Sequence, residues 1–111
     1  MILYNVTMKP NADIATEWLE WMRDEHMPDL LQTGLFTEAR LCRLEDAETG
    51  DGDTFATQYF CASRADYDTY IADWAPQMRT KMEARFGGRF VAFRSVLEVL
   101  EVQKRTETKP D

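Results

Sequence analysis

The spacing of hydrophobic residues switches between two patterns along this chain. Runs in which every second residue is apolar predict strands, and runs with apolar residues three or four positions apart predict helices. In chain order these runs indicate a strand at Met1–Met8, a helix that ends at Gly34, strands at Phe36–Leu44 and Thr54–Ala62, a helix at Ser63–Phe86 and a strand at Arg89–Val102. Both predicted helices contain an internal proline and are followed by glycine.

The order strand, helix, strand, strand, helix, strand predicts an α+β, ferredoxin-like fold. We expect a four-stranded antiparallel sheet with both helices on one face. The last strand is apolar on both of its faces, with Val91 and Phe93 on one side and Phe90 and Val96 on the other. A strand solvated on one side would alternate with polar residues. We therefore expect a second copy to cover the helix-free face, with Val96 on that face and about 800 Å² buried per subunit.

The first helix carries a row of apolar residues and one histidine at a spacing of four: Ile14, Trp18, Met22, His26 and Leu30. Residues at this spacing lie on one side of a helix. Pro28 has no N–H to donate to the carbonyl of Asp24 and disfavours helical geometry at Met27. A kink or short break is therefore expected beside His26.

His26 is the candidate catalytic residue, and it is the only histidine of the chain. On an apolar stripe, desolvation would lower its pKa and keep it neutral, so that it could act as a general base near neutral pH. The alternative is a local structural role, in which the imidazole hydrogen-bonds to the chain and holds the kink.

Five further residues are candidates for binding a substrate near His26: Trp18, Trp21, Gln58, Tyr59 and Arg94. The aromatic rings could line a pocket for a flat ligand, and Arg94 could bind a carboxylate through two hydrogen bonds. Each has a plainer alternative. Aromatic stripes at helical spacing usually form the core, and Arg94 could pair with Glu98 or with the other subunit.

No metal site and no cofactor are predicted, because the sequence lacks zinc-ligand spacing, a phosphate loop and a dinucleotide fingerprint. The acidic loop Glu45–Asp53 does not have the residue order of a calcium loop. A tight turn at Asp51-Gly52 would place Cys42 opposite Cys61, and a longer loop is an equal alternative. An even shift in register would still leave both thiols on one face. A redox pair is the less favoured interpretation, since buried free thiols are common.

Length and charge limit the classes of function. The chain of 111 residues has room for one domain, expected at 1–102 with a flexible tail at 103–111. A net charge of −7 argues against binding to nucleic acid or to an anionic membrane. We find no signal peptide and no apolar run of membrane-spanning length, so we expect an acidic cytoplasmic protein.

Four segments resemble a small bacterial family of unknown function. They are the start Met1-Ile2-Leu3-Tyr4-Asn5-Val6-Thr7, the run Trp18-x-x-Trp21-Met22-x-x-x-His26-x-Pro28, the triplet Gln58-Tyr59-Phe60, and Arg85-Phe86-Gly87-Gly88-x-Phe90-Val91-Ala92-Phe93-Arg94. More distantly the chain is similar to the dimeric α/β-barrel superfamily, which includes antibiotic-biosynthesis and haem-degrading monooxygenases, muconolactone-isomerase-like proteins and stress-responsive barrel proteins. This resemblance implies a homodimer joined through its sheet faces, but no shared catalytic set.

Two functional hypotheses follow. The first is a pocket near His26 that binds or converts a small organic molecule, with His26 as base and with Arg94 or Gln58 orienting the substrate. It predicts a cavity that reaches His26. The second is a non-catalytic dimer that serves as a scaffolding or interaction module, with a filled core.

Overall fold

The structure, a computed structural model, describes residues 1–45 and 52–106. Most of the acidic loop Glu45–Asp53 and residues 107–111 of the predicted tail lie outside these ranges. The elements are β1 (Ile2–Pro10), a 3₁₀ turn (Ala12–Ile14), α1 (Ala15–Trp21), a π-helix (Met22–His26), α2 (Met27–Gln32), β2 (Glu38–Arg43), β3 (Phe55–Cys61), α3 (Arg64–Asp73), α4 (Ala75–Phe86) and β4 (Phe90–Glu98).

The four strands form one antiparallel sheet in the order β2-β3-β1-β4. Side chains at alternate positions of β1 and β3 are buried against the helices, as the apolar alternation predicts. At the centre of this face Tyr4 lies opposite Tyr59 on one side and Val96 on the other. The predicted α+β, ferredoxin-like fold is confirmed.

The first predicted helix is interrupted where Pro28 suggested. The N–H of Met27 bonds to the carbonyl of Met22, a bond that spans five residues instead of four, and Met22–His26 forms a π-helix between α1 and α2. Gly34 follows α2 with a φ of 79°, the left-handed conformation that glycine adopts most easily.

The second predicted helix divides in the same way. Trp74, with φ −120°, separates α3 from α4, and Pro76 lies in the first turn of α4. The side chain of Ser63 accepts a hydrogen bond of 3.2 Å from the Asp66 N–H, which caps α3 as the spacing predicts.

The helices cover little of β4. Phe90, at its start, packs partly against the core, whereas the helix-side residues Arg94 and Val96 are exposed on this edge strand. On the helix-free face, Val91 is 68% exposed and Phe93 is 67% exposed. We call this second face of the sheet, made by Val91, Phe93 and Leu97 of β4 with their neighbours on β1 and β3, the open face.

Two predictions about register are wrong. Val96 lies on the helix side and not on the open face, because it pairs with the buried Tyr4 of β1. Cys42 pairs with Ala56, whereas Cys61 pairs with Ile2, so the thiols point to opposite faces of the sheet. The shift from the tight-turn register is an odd number of residues, and an odd shift reverses the face of every side chain.

The chain has no helix or strand between Val99 and Thr106. The division into a domain at 1–102 and a flexible tail at 103–111 stays a prediction.

Candidate functional site

A cavity of about 30 Å³ lies between the helices and the sheet. This enclosed volume takes a water molecule or the polar group of a larger ligand, and together with its part open to solvent the space reaches about 400 Å³. Its lining comes from β1, β3 and β4 on one side and from the π-helix, α2, α3 and α4 on the other. The lining residues are Tyr4, Val6, Met8, Met22, His26, Leu30, Thr57, Tyr59, Tyr70, Met78, Arg79, Met82 and Arg94.

Three buried polar atoms among the lining residues have no hydrogen-bond partner among the residues that the structure describes: His26 Nδ1, Thr57 Oγ1 and Tyr59 OH. Each of these residues is at least nine-tenths buried. A buried polar group that lacks a partner costs free energy, so most such groups in proteins are paired. The three residues that carry these atoms line one cavity, which favours a polar ligand or ordered water as their partner.

The π-helix places His26. Two residues five positions apart on an α-helix point about 140° away from each other, given 3.6 residues per turn. Trp21 and His26 are five apart, yet their rings stack with centroids 4.9 Å apart and planes 24° apart. The wider π turn allows this stacking, so the indole of Trp21 fixes one side of the imidazole.

Burial keeps His26 neutral. Desolvation lowers the pKa of the imidazole to about 4, and the positive charges of Lys81 and Arg94 act in the same direction. The Asp29 carboxylate opposes them, but it lies 3.4 Å from Lys81 Nζ, so the two charges offset each other at His26. At neutral pH the imidazole is therefore a base with an available lone pair.

The tyrosines of the cavity are neutral hydrogen-bond donors. Burial raises the pKa of Tyr59 well above its ordinary value, and it raises the pKa of Tyr70 as well. Both hydroxyls thus keep their protons at physiological pH. The ring of Tyr4 packs 6.0 Å from that of Tyr59 and 5.9 Å from that of Tyr70, which holds the two phenols in place.

Three of the six residues that the sequence singled out meet in this cavity, namely His26, Tyr59 and Arg94. Trp21 contacts the His26 ring but does not line the cavity. Trp18 is fully buried in the core, where its ring lies 5.2 Å from that of Phe55.

Gln58 is on the open face, because it alternates with the buried Thr57 and Tyr59 along β3. The prediction that it shares a pocket with His26 is wrong. The alternative pairing of Arg94 with Glu98 is also not observed, since Arg94 forms no ion pair with a described residue.

Sequence reasoning missed Thr57 and Arg79. Thr57 is a polar residue in the buried half of the β3 alternation, between Phe55 and Tyr59, and that position was a detectable signal. Arg79 follows Met78 of the buried α4 stripe and had no distinguishing pattern.

The described residues contain no group of three or more histidine, cysteine or acidic side chains arranged to hold a metal ion. Within residues 1–45 and 52–106, every helix is too short or too polar to cross a bilayer.

Comparison with known proteins identifies the fold and a family. The family model described as "Domain of unknown function (DUF4286)" matches residues 1–100. No curated protein matches the sequence.

Three solved structures are similar in fold. HapK from Hahella chejuensis has a TM-score of 0.68 at 12% identity, over 96% of this chain and 100% of its own. A dimeric ferredoxin-like protein from an uncultured marine organism has a TM-score of 0.67 at 11% identity, over 95% of this chain and 100% of its own. A protein of the ethyl tert-butyl ether d (ethd) family from Bacillus halodurans C-125 has a TM-score of 0.61 at 10% identity, over 90% and 100%. At these identities the likeness shows the fold alone.

Proposed function

Because this chain belongs to the DUF4286 family, whose function is unknown, we propose its function from its own cavity: it binds a small organic molecule beside His26. The observation that carries the proposal is that three residues with unpartnered, buried polar atoms line that cavity. Ligand-binding sites are typically apolar cavities with a few such groups. The methionines and aliphatic side chains of the lining supply the apolar part.

The chemistry that fits this arrangement is proton abstraction. A neutral imidazole with its proton on Nε2 has a lone pair on Nδ1, which is the unpartnered atom of His26. The hydroxyls of Tyr59 and Thr57 can donate to an oxygen of the ligand and so stabilise the negative charge that develops as the proton leaves. Transfer of a C–H proton from the carbon beside a carbonyl to Nδ1 leaves the electron pair on the carbonyl oxygen as an enolate, and return of the proton to another carbon completes an isomerisation.

The test compares two measurements on the same variants, the free energy of unfolding and the binding of small molecules. Tyr59→Phe and Thr57→Val remove hydroxyls that have no protein partner, so we expect the free energy of unfolding to stay unchanged or to rise. The same variants should weaken the binding of small molecules, detected through the NMR signals of the single imidazole. Tyr67→Phe is the matched control, because Tyr67 is a buried tyrosine outside the cavity.

The opposite result would point to a structural role. If Tyr59→Phe and Thr57→Val both lower the free energy of unfolding, and a library of small molecules leaves the imidazole signals unmoved, the hydroxyls serve the core. The alternative function would then stand, a non-catalytic dimeric scaffold. The exposed apolar residues of the open face favour that alternative independently of the cavity.

We also propose that the chain is a homodimer joined through the open face. The apolar exposure of Val91, Phe93 and Leu97 on one surface supports this, since isolated apolar residues are common on monomers but adjacent ones mark interfaces. The description of a similar structure as a dimeric ferredoxin-like protein agrees with it. A cytoplasmic location likewise stays a prediction.

Light scattering coupled to size-exclusion chromatography at micromolar concentration tests the dimer. Phe93→Asp should give a monomer, because the carboxylate would be buried in the interface. Leu31→Asp is the control, since Leu31 is exposed on the helix side. A wild-type monomer, or an equal effect of both variants, would refute the interface.

A further inference from the structure

Arginines without an ion pair among the described residues are concentrated at the cavity. The chain has nine arginines, and six of them form ion pairs with a carboxylate: Arg23, Arg40, Arg43, Arg64, Arg85 and Arg89. The other three are Arg79, Arg94 and Arg105, and the first two line the cavity. In a protein of net charge −7, this is a local excess of positive charge that no described carboxylate neutralises.

The guanidinium groups of Arg79 and Arg94 lie at the same cavity. Arg79 comes from α4 and Arg94 from β4, so different elements bring them to the cavity. The charges of both arginines favour ionisation of the Tyr70 phenol, although burial outweighs them and raises its pKa. Both side chains are exposed, whereas Thr57 and Tyr59 are buried at the inner end. The cavity therefore has a positively charged outer part and an inner part of neutral donors.

The wall between these two parts is apolar and adaptable. Met22, Met78 and Met82 line it together with Val6 and Leu30. Methionine side chains are flexible and adjust to ligands of different shape. A bare inorganic anion would leave these side chains without contacts, whereas an organic acid would use them.

We propose that the ligand of this cavity is a small organic carboxylate, whose carboxylate group binds Arg79 and Arg94 and whose apolar body extends between the methionines towards Tyr59 and Thr57. This inference rests on the proposed small-molecule site and adds the chemical class of its ligand. Arginine is suited to the task, because its planar fork matches a carboxylate with two parallel hydrogen bonds.

The test compares three probes: benzoate, its neutral counterpart benzamide, and inorganic phosphate. Binding is followed at millimolar concentration through the His26 imidazole signals and the melting temperature. We expect benzoate to shift the imidazole signals and to raise the melting temperature, and benzamide and phosphate to do so far less. Loss of one charge-assisted contact in Arg94→Gln or Arg79→Gln should weaken benzoate binding about tenfold.

Arg105→Gln is the matched control, since Arg105 is also an arginine without an ion pair among the described residues but lies outside the cavity. Unchanged benzoate binding in this variant supports the proposal, and an equal loss would show non-specific attraction and overturn it. If benzamide binds as tightly as benzoate and Arg94→Gln has no effect, the carboxylate class is wrong while the small-molecule site stands. If benzoate fails to bind, the inference is overturned, and any neutral library compound that shifts the His26 signals would still support the site itself.

Discussion

Acidification is expected to destabilise this protein through His26. The imidazole has a pKa of about 4 in the folded chain, against an ordinary value of 6.5. Between these values the unfolded chain binds a proton that the folded chain does not. The contribution of His26 to stability is therefore complete above about pH 6.5 and decreases as the pH falls towards 4.

The size of this loss of stability follows from the difference between the two pKa values of His26. Each pH unit corresponds to about 1.4 kcal/mol, so the distance between 6.5 and about 4 amounts to about 3 kcal/mol. His26 is only 8% exposed, and solvent screening therefore reduces this figure little. A loss of this size is a large part of the stability of a domain, which is commonly about 5–15 kcal/mol.

Two measurements check the prediction. The imidazole signals of the single histidine, followed by NMR from pH 8 downwards, report its titration directly. Urea unfolding of the wild type and of His26→Gln over the same range gives the second reading, at constant protein concentration. The difference between the two free energies of unfolding should shrink by about 3 kcal/mol on acidification, because the carboxylates titrate alike in both proteins.

The reasoning would be refuted by an imidazole that titrates near its ordinary pKa in the folded protein. Parallel stability curves for wild type and variant would refute it as well. The NMR result stands on the wild type alone, and so it remains decisive if His26→Gln does not fold.

Further outcomes follow from other parts of the fold. Ser63→Ala should lower the free energy of unfolding by about 1 kcal/mol in urea, because Ser63 caps α3 through the Asp66 N–H. Trp18→Ala should cost about 3–5 kcal/mol in the same assay, since the side chain is fully buried and leaves a large void. Mild oxidation should form no internal disulfide, seen as an unchanged mass, because Cys42 and Cys61 point to opposite faces of the sheet.

The sequence was informative where a local pattern had one structural solution. A proline two residues after His26 in a helical row could only interrupt the helix there, and Gly34 after the same row indicated its end. The apolar residues at every second position of β1 likewise indicated that Tyr4 faces the helices, because only one face of this strand is mainly apolar.

Register and site were harder to predict because they depend on distant segments. The pairing of Cys42 with Ala56 depends on how β2 and β3 align over their whole length, which no single residue type specifies. The face of Val96 depends on which residue of β1 lies beside it. Likewise Arg79 and Arg94 line one cavity although they come from α4 and β4, two segments that share no local signal.

The π-helix has a consequence for comparing relatives of this protein. Its extra residue per turn is equivalent to a one-residue insertion in an otherwise regular α-helix. A homologue with one residue fewer between Trp21 and Pro28 would form a straight helix and rotate its histidine away from the indole. A single alignment gap in this short stretch would therefore separate members of the family whose imidazole stacks on the indole from those in which it does not.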